Sequence, residues 1–195
     1  MQKIVFILIL LLITSCTPKP NKCTGVVKNV YGEAIIWRNL PITLNISSSF
    51  PEHLKLAIYR SASTWEKAVG RKMFNILDNS DIALNRNGVS SIHYLTTYED
   101  DRASEQGRAS IYWGGDEIKE SDIRVNGKNF SYYLDDQDKY HNKVNMEALM
   151  LHELGHLLGL NHNDDVDSVM QSTLANETDR ISLSEFDTES IRCIY

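Results

Sequence analysis

This sequence predicts an α+β fold, and three observations carry the reading. Ile42, Leu44 and Ile46 alternate with polar residues, the period-two pattern of a half-buried strand. Leu54, Ile58, Ala62, Trp65 and Val69 recur at three- and four-residue steps, the stripe of an amphipathic helix. His152 and His156 stand four apart in an apolar stretch, so a helix there stacks their imidazoles on one face.

The elements follow in chain order. Residues 1–15 hold Lys3, an apolar run at 4–13 and small polar residues before Cys16. The run is too short to span a membrane comfortably and reads as the core of an export signal. Ile13-Thr14-Ser15-Cys16 resembles a bacterial lipobox, with cleavage before Cys16 and lipid on that cysteine. An ordinary secretory signal with an incidental Cys16 is the alternative, and either reading exports the chain. Residues 16–40 then read as a lipid-anchored tether and residues 41–195 as one domain.

Residues 41–46 form the first strand, and Pro51 opens the first helix, which Gly70 ends. Residues 73–76, 92–97, 109–113 and 121–126 read as further strands. Gly114-Gly115 ends one of them, and Asn126-Gly127 marks a turn. The central helix begins near Asn145, a good N-cap, and buries Leu149, Met150, Leu154, Leu157 and Leu158.

Composition excludes some partners. Without residues 1–15 the chain has 19 basic and 26 acidic residues, a formal charge of −7. No basic stripe exists to neutralise phosphates, so nucleic acid is not a partner. Neither repeats nor low-complexity runs are present, and the domain reads as a monomer.

The stretch His152-Glu153-Leu154-Gly155-His156-Leu157-Leu158-Gly159-Leu160-Asn161-His162 reads H-E-x-x-H-x-x-G-x-x-H. Two imidazoles at helical spacing can hold one Zn²⁺. His162 cannot join them from the same helix, because six further residues rotate it by roughly 240°. The chain has to turn back, and Gly159 sits where a left-handed C′ residue would do that. Three protein ligands leave a fourth position open for water, the pattern of a catalytic zinc. Glu153, beside His152, is placed as a base for that water and not as a ligand.

The long motif followed by Met170 in Asp167-Ser168-Val169-Met170-Gln171 is similar to the metzincin signature, with Met170 as the Met-turn. Taken alone, Met170 would be ordinary core. Gly159-Leu160-Asn161-His162 and the His-to-Met spacing resemble the matrixin (matrix metalloproteinase) group. Residues 41–195 resemble the same order of elements, and residues 183–195 resemble its closing helix with a hydrophobic-Tyr ending. Asn163 and Gln171-Ser172 depart from that group's usual residues, and its second, structural zinc site has no clear match.

The resemblance implies a metzincin-type zincin domain with a mixed twisted sheet, an active-site helix, a first helix and a C-terminal helix. It implies a zinc endopeptidase acting on exported proteins or peptides, with water on zinc as nucleophile and Glu153 as general base. It implies a sheet-edge strand that pairs with substrate backbone, here Ala109, Ser110, Ile111, Tyr112 and Trp113, and a wall formed by residues 169–174. A fold kept for adhesion without turnover would not need Glu153.

Other residues keep two readings. With Cys16 lipidated, Cys23 and Cys193 remain, and export permits a disulfide between them. A free thiol at Cys23, or Cys23 as a latch on the zinc, is the alternative. The acidic loops at Asp135, Asp136 and Asp138 and at Asp164, Asp165 and Asp167 either hold Ca²⁺ or are solvated. His93, His53 and His141 read as packed or solvated side chains.

Overall fold

The computed structural model describes residues 23–135, 139, 142–164 and 167–195. Cys16 and the signal run lie outside them, as do His141 and parts of both acidic loops.

The sheet is built on β1 (Ile42–Ser47), whose inward residues Ile42, Leu44 and Ile46 are buried. It pairs in parallel with β2 (Phe74–Ser80) on one side and β3 (Ser90–Leu95) on the other. β3 pairs in parallel with β5 (Glu117–Asn126), and β4 (Gly107–Gly114) closes the edge antiparallel to β5. The order is therefore β2-β1-β3-β5-β4, a mixed sheet. Parallel neighbours demand crossovers, and α1 (Lys55–Val69) is the one between β1 and β2.

α1 buries Ile58, Ala62 and Trp65 and ends at Gly70 with φ +81°. Trp65 is fully buried, and its Nε1–H donates to the Leu151 carbonyl at 2.9 Å. That bond pins α1 to α2 (Met146–Leu157), the helix carrying the motif. α3 (Glu185–Ile194) closes the chain and packs against α1.

The strands expected from the sequence form with shifted ends: β2 runs on to Ser80, β3 spans Ser90–Leu95 and β4 begins at Gly107. β5 begins at Glu117, not at 121, because only Ile118 is apolar in its charged first turn and alternation is invisible there. Two short strands, β6 (Tyr132–Tyr133) and β7 (Val144–Asn145), pair in parallel just ahead of α2 and have no sequence signal at two residues each.

The domain boundary at residue 41 is corrected. Residues 23–40 are not a tether but a strap packed on the domain. Val26 and Ile35 are buried core, and Val26 bridges to Leu160. Val27 N–H donates to the Gly159 carbonyl at 2.8 Å, and Asn161 N–H donates to Gly25 at 2.9 Å. Ile36 pairs with Glu117, and Trp37 Nε1–H donates to the Leu157 carbonyl at 2.8 Å. Cys23 and Cys193 are joined, Cα to Cα 5.7 Å, which staples the strap to α3. The disulfide leaves no thiol at Cys23 for a latch.

Candidate active site

α2 starts where Asn145 Oδ1 accepts the Ala148 N–H at 3.0 Å, the N-cap bond that the sequence anticipates. The helix ends at Leu157 with Leu158 as its C-cap, and Gly159 turns the chain with φ +96°. Only glycine fits there. A Cβ on it would lie 2.6 Å from the Ile35 carbonyl oxygen, a backbone atom that cannot swing aside. The turn returns His162 to the other two histidines.

The rings of His152, His156 and His162 stand with centroids 4.6, 5.3 and 4.7 Å apart. Among the described residues they are the one group of three or more potential ligands whose donor atoms share a site, all within 4.8 Å of one another. His152 Nδ1 faces the Val169 carbonyl at 2.9 Å, and His156 Nδ1 faces the Leu160 carbonyl at 2.8 Å. A carbonyl only accepts, so each Nδ1 carries the proton. Burial, with the neighbouring imidazoles, pushes His152 down to about 3 and His156 to about 4, so both are neutral. Their Nε2 lone pairs then face each other at 3.0 Å with no proton between them. A cation reconciles that geometry, and a neutral-imidazole set is what Zn²⁺ takes. The residues present fit the metal.

Glu153 lies beside this set, 3% exposed. Burial pushes its carboxyl up to about 8, offset by an N–H bond from Ala109 and reinforced by Glu105. Its Oε2 has no protein partner, which leaves it available for a proton. Gly107 makes the room, since a Cβ there would lie 3.1 Å from Glu153 Oε1.

Met170 is buried beneath the site. Its Sδ occupies the space beside Gly155, where a Cβ would come within 2.3 Å of it. Asn163, a departure from the matrixin pattern, donates its N–H to the Met170 carbonyl at 2.9 Å. Asp187 then holds the turn: its carboxylate accepts from Ser168 Oγ at 2.5 Å and from Val169 N–H at 2.9 Å. The same carboxylate completes a capping box with Ser184 at the start of α3.

A cleft of about 450 Å³ runs over α2 between the edge strand and the segment after Met170. Residues 109–113 lie in β4, the edge strand of the sheet, and the cleft takes only part of it. Gly107, Arg108, Ala109 and Ile111 line the cleft, whereas Tyr112 and Trp113 do not. The register shifts between Tyr112 and Trp113, and Tyr112 turns to stack under Arg86. Ser110 lines no part of the cleft and pairs with Asp122 of β5. Glu105, Gln106, Gly107 and Val27 were missed as cleft residues, because each precedes or lies far from any periodic segment. Gln171, Ser172 and Leu174 form the opposite lip.

His93 is packed, as expected, against Ser91 at 2.9 Å, and His53 is exposed. Among the described residues no helix is long and apolar enough to cross a membrane.

The family model described as Matrixin matches residues 62–195. Metalloendoproteinase 1 of Glycine max is 36% identical over 50 residues, covering 26% of this chain and 16% of that protein. Metalloendoproteinase 2-MMP of Arabidopsis thaliana is 36% identical over 52 residues, 27% of this chain and 14% of that protein. Matrilysin of Felis catus is 43% identical over 53 residues, 27% of this chain and 20% of that protein. The matching stretch thus spans a fifth or less of each of these relatives.

Proposed function

The chain belongs to the matrixin family, and from that premise we propose that it is a zinc endopeptidase, exported and held to a membrane by lipid on Cys16. The observation that carries the peptidase reading is the convergence of three imidazoles, two of them neutral with their Nδ1 atoms on carbonyls, beside a buried carboxyl.

His152, His156 and His162 would hold the metal. Zinc there supplies a Lewis acid that polarises the peptide carbonyl and lowers the pKa of water to about 7. Glu153 takes the proton from that water and passes it to the amine released when the C–N bond breaks. Burial raises the proton affinity of this carboxyl, so a proton it takes is held until the amine accepts it. The Ala109 N–H holds the carboxylate in place. The alternation of an antiparallel pair turns Gly107, Ala109 and Ile111 outward, because Asn126 N–H donates to the Gln106 carbonyl and so places 106 on the inward phase. Those outward amides and carbonyls, the Ala109 N–H bound to Glu153 excepted, are a template on which a peptide adds as a strand, giving main-chain recognition.

The lipid anchor rests on the run at 4–13, Lys3 and the lipobox-like Ile13-Thr14-Ser15-Cys16. Substrates would be proteins or peptides outside the cytoplasm, and the enzyme a monomer.

The test is digestion of a denatured-protein library by the purified chain, with cleavage sites mapped. We expect internal cleavage that a chelator abolishes and zinc restores. A zinc-loaded, folded chain that cuts nothing in the library would overturn the reading.

A further inference from the structure

The two lips of the cleft are joined at one end. Gln106 Nε2 donates to the Leu174 carbonyl at 2.9 Å, and both residues line the cleft. Gln106 comes from the sheet edge and Leu174 from the segment after Met170, so the bond crosses the channel a strand-like peptide would follow. Neither end is loose. The Gln106 carbonyl accepts from Asn126 N–H at 3.0 Å and from Tyr132 Oη at 2.7 Å. Beside Leu174, the Thr173 carbonyl accepts from Arg180 Nη1 at 3.1 Å.

Which end is closed follows from the chemistry. The base has to reach the leaving amine, so the leaving half of a substrate lies on the Glu153 side. Glu153 Oε1 is the atom nearest a Cβ placed on Gly107, the residue next to Gln106. The closed end is therefore the one that takes the leaving segment. From Ala109, whose N–H binds Glu153, back to Gln106 is three strand residues, about 10 Å at roughly 3.4 Å each.

We propose that Gln106 is a specificity-determining residue whose side chain bars the leaving-group end of the cleft. The cleft then takes a leaving segment of about three residues without rearrangement, and a longer one has to break the Gln106–Leu174 bond. This rests on the peptidase reading above.

The experiment takes a cleavage site mapped in the library digest. Two peptides carry the same sequence up to the scissile bond, with two or six residues beyond it. For the zinc-loaded full chain and for Gln106→Ala and Gln106→Glu, kcat/KM is measured on both. Neither alanine nor a carboxylate can donate to the carbonyl. The long-to-short ratio should rise roughly fivefold in both variants, the equivalent of one neutral hydrogen bond. A ratio equal in all three proteins, or lower in the variants, overturns the proposal.

Affinity of both peptides for zinc-loaded Glu153→Ala, with and without Gln106→Ala, reads the same ratio where turnover is absent. Failure of the wild type to cut either peptide would count against the peptidase reading, while the affinity ratio would still decide the role of Gln106.

Discussion

Val169 stands between Asp187 and His152: its N–H donates to the Asp187 carboxylate at 2.9 Å, and its carbonyl receives His152 Nδ1 at 2.9 Å. One residue, through its two flanking peptides, thus links the position of α3 to His152, a proposed zinc ligand. Asp187→Ala removes the acceptor for Val169 and for Ser168 together. Outer partners of ligating histidines are worth about tenfold or more in metal affinity. We expect zinc affinity, read by chelator competition, to fall about tenfold along with the Tm. A lower Tm with unchanged zinc affinity would show that Asp187 only caps α3.

Gly159→Ala strains the chain between His156 and His162. An L-residue in the left-handed region costs about 1–2 kcal/mol. The Cβ would also meet the Ile35 carbonyl oxygen at 2.6 Å. The variant should unfold at lower denaturant and bind zinc more weakly, whereas a neutral effect on both would mean that the strap yields without cost.

Removing the staple with Cys23→Ser plus Cys193→Ser frees a loop of 170 residues of sequence separation. Native disulfides in exported domains are worth about 2–5 kcal/mol. Denaturant unfolding should show a loss of that size, with specific activity per folded molecule held. A gain in activity would instead mean that the strap restrains the enzyme.

Asp122 is buried in β5, where its Oδ1 accepts from Ser91 Oγ at 2.5 Å and its Oδ2 has no partner. Burial raises its pKa, partly offset by Ser91; Glu120 raises it further and Arg124 lowers it. A carboxyl raised on folding contributes stability below its unfolded pKa, about 3.9, and loses it as pH rises through the folded value. Asp122→Asn escapes that loss. Its Tm should exceed the wild type's at neutral pH and converge with it below about pH 4. A Tm difference that does not vary with pH would exclude titration of Asp122 as the cause.

The membrane anchor is tested by Cys16→Ser. The substituted chain should move from the membrane to the soluble fraction. Continued fractionation with membranes after normal signal cleavage would remove the lipid from the account.

The zinc stretch was legible because ligand spacing, a turn glycine and a base are local, and local geometry fixes them. Asn145 and Gly159 do in the structure what their residue types announce. The strap was not legible. Val26 and Ile35 are isolated apolar residues in a polar segment, and what they pack beside is the Gly159–Leu160 turn and β5, more than 80 residues away. The cleft's edge was placed two residues late for a related reason: Gly107 matters through the side chain it lacks, which periodicity does not register. Neither the cap nor the turn support at Asp187 was read from the sequence, and the second depends on a contact 18 residues upstream.

The central claim is that Glu153 moves the proton while the histidines hold the metal. The most direct measurement is kcat/KM of Glu153→Ala on a mapped peptide, with bound zinc counted in the same sample. The account predicts one zinc per chain, as in the wild type, and a loss of roughly 10²–10⁴-fold in kcat/KM. Proteolysis undiminished in a zinc-loaded variant would contradict it.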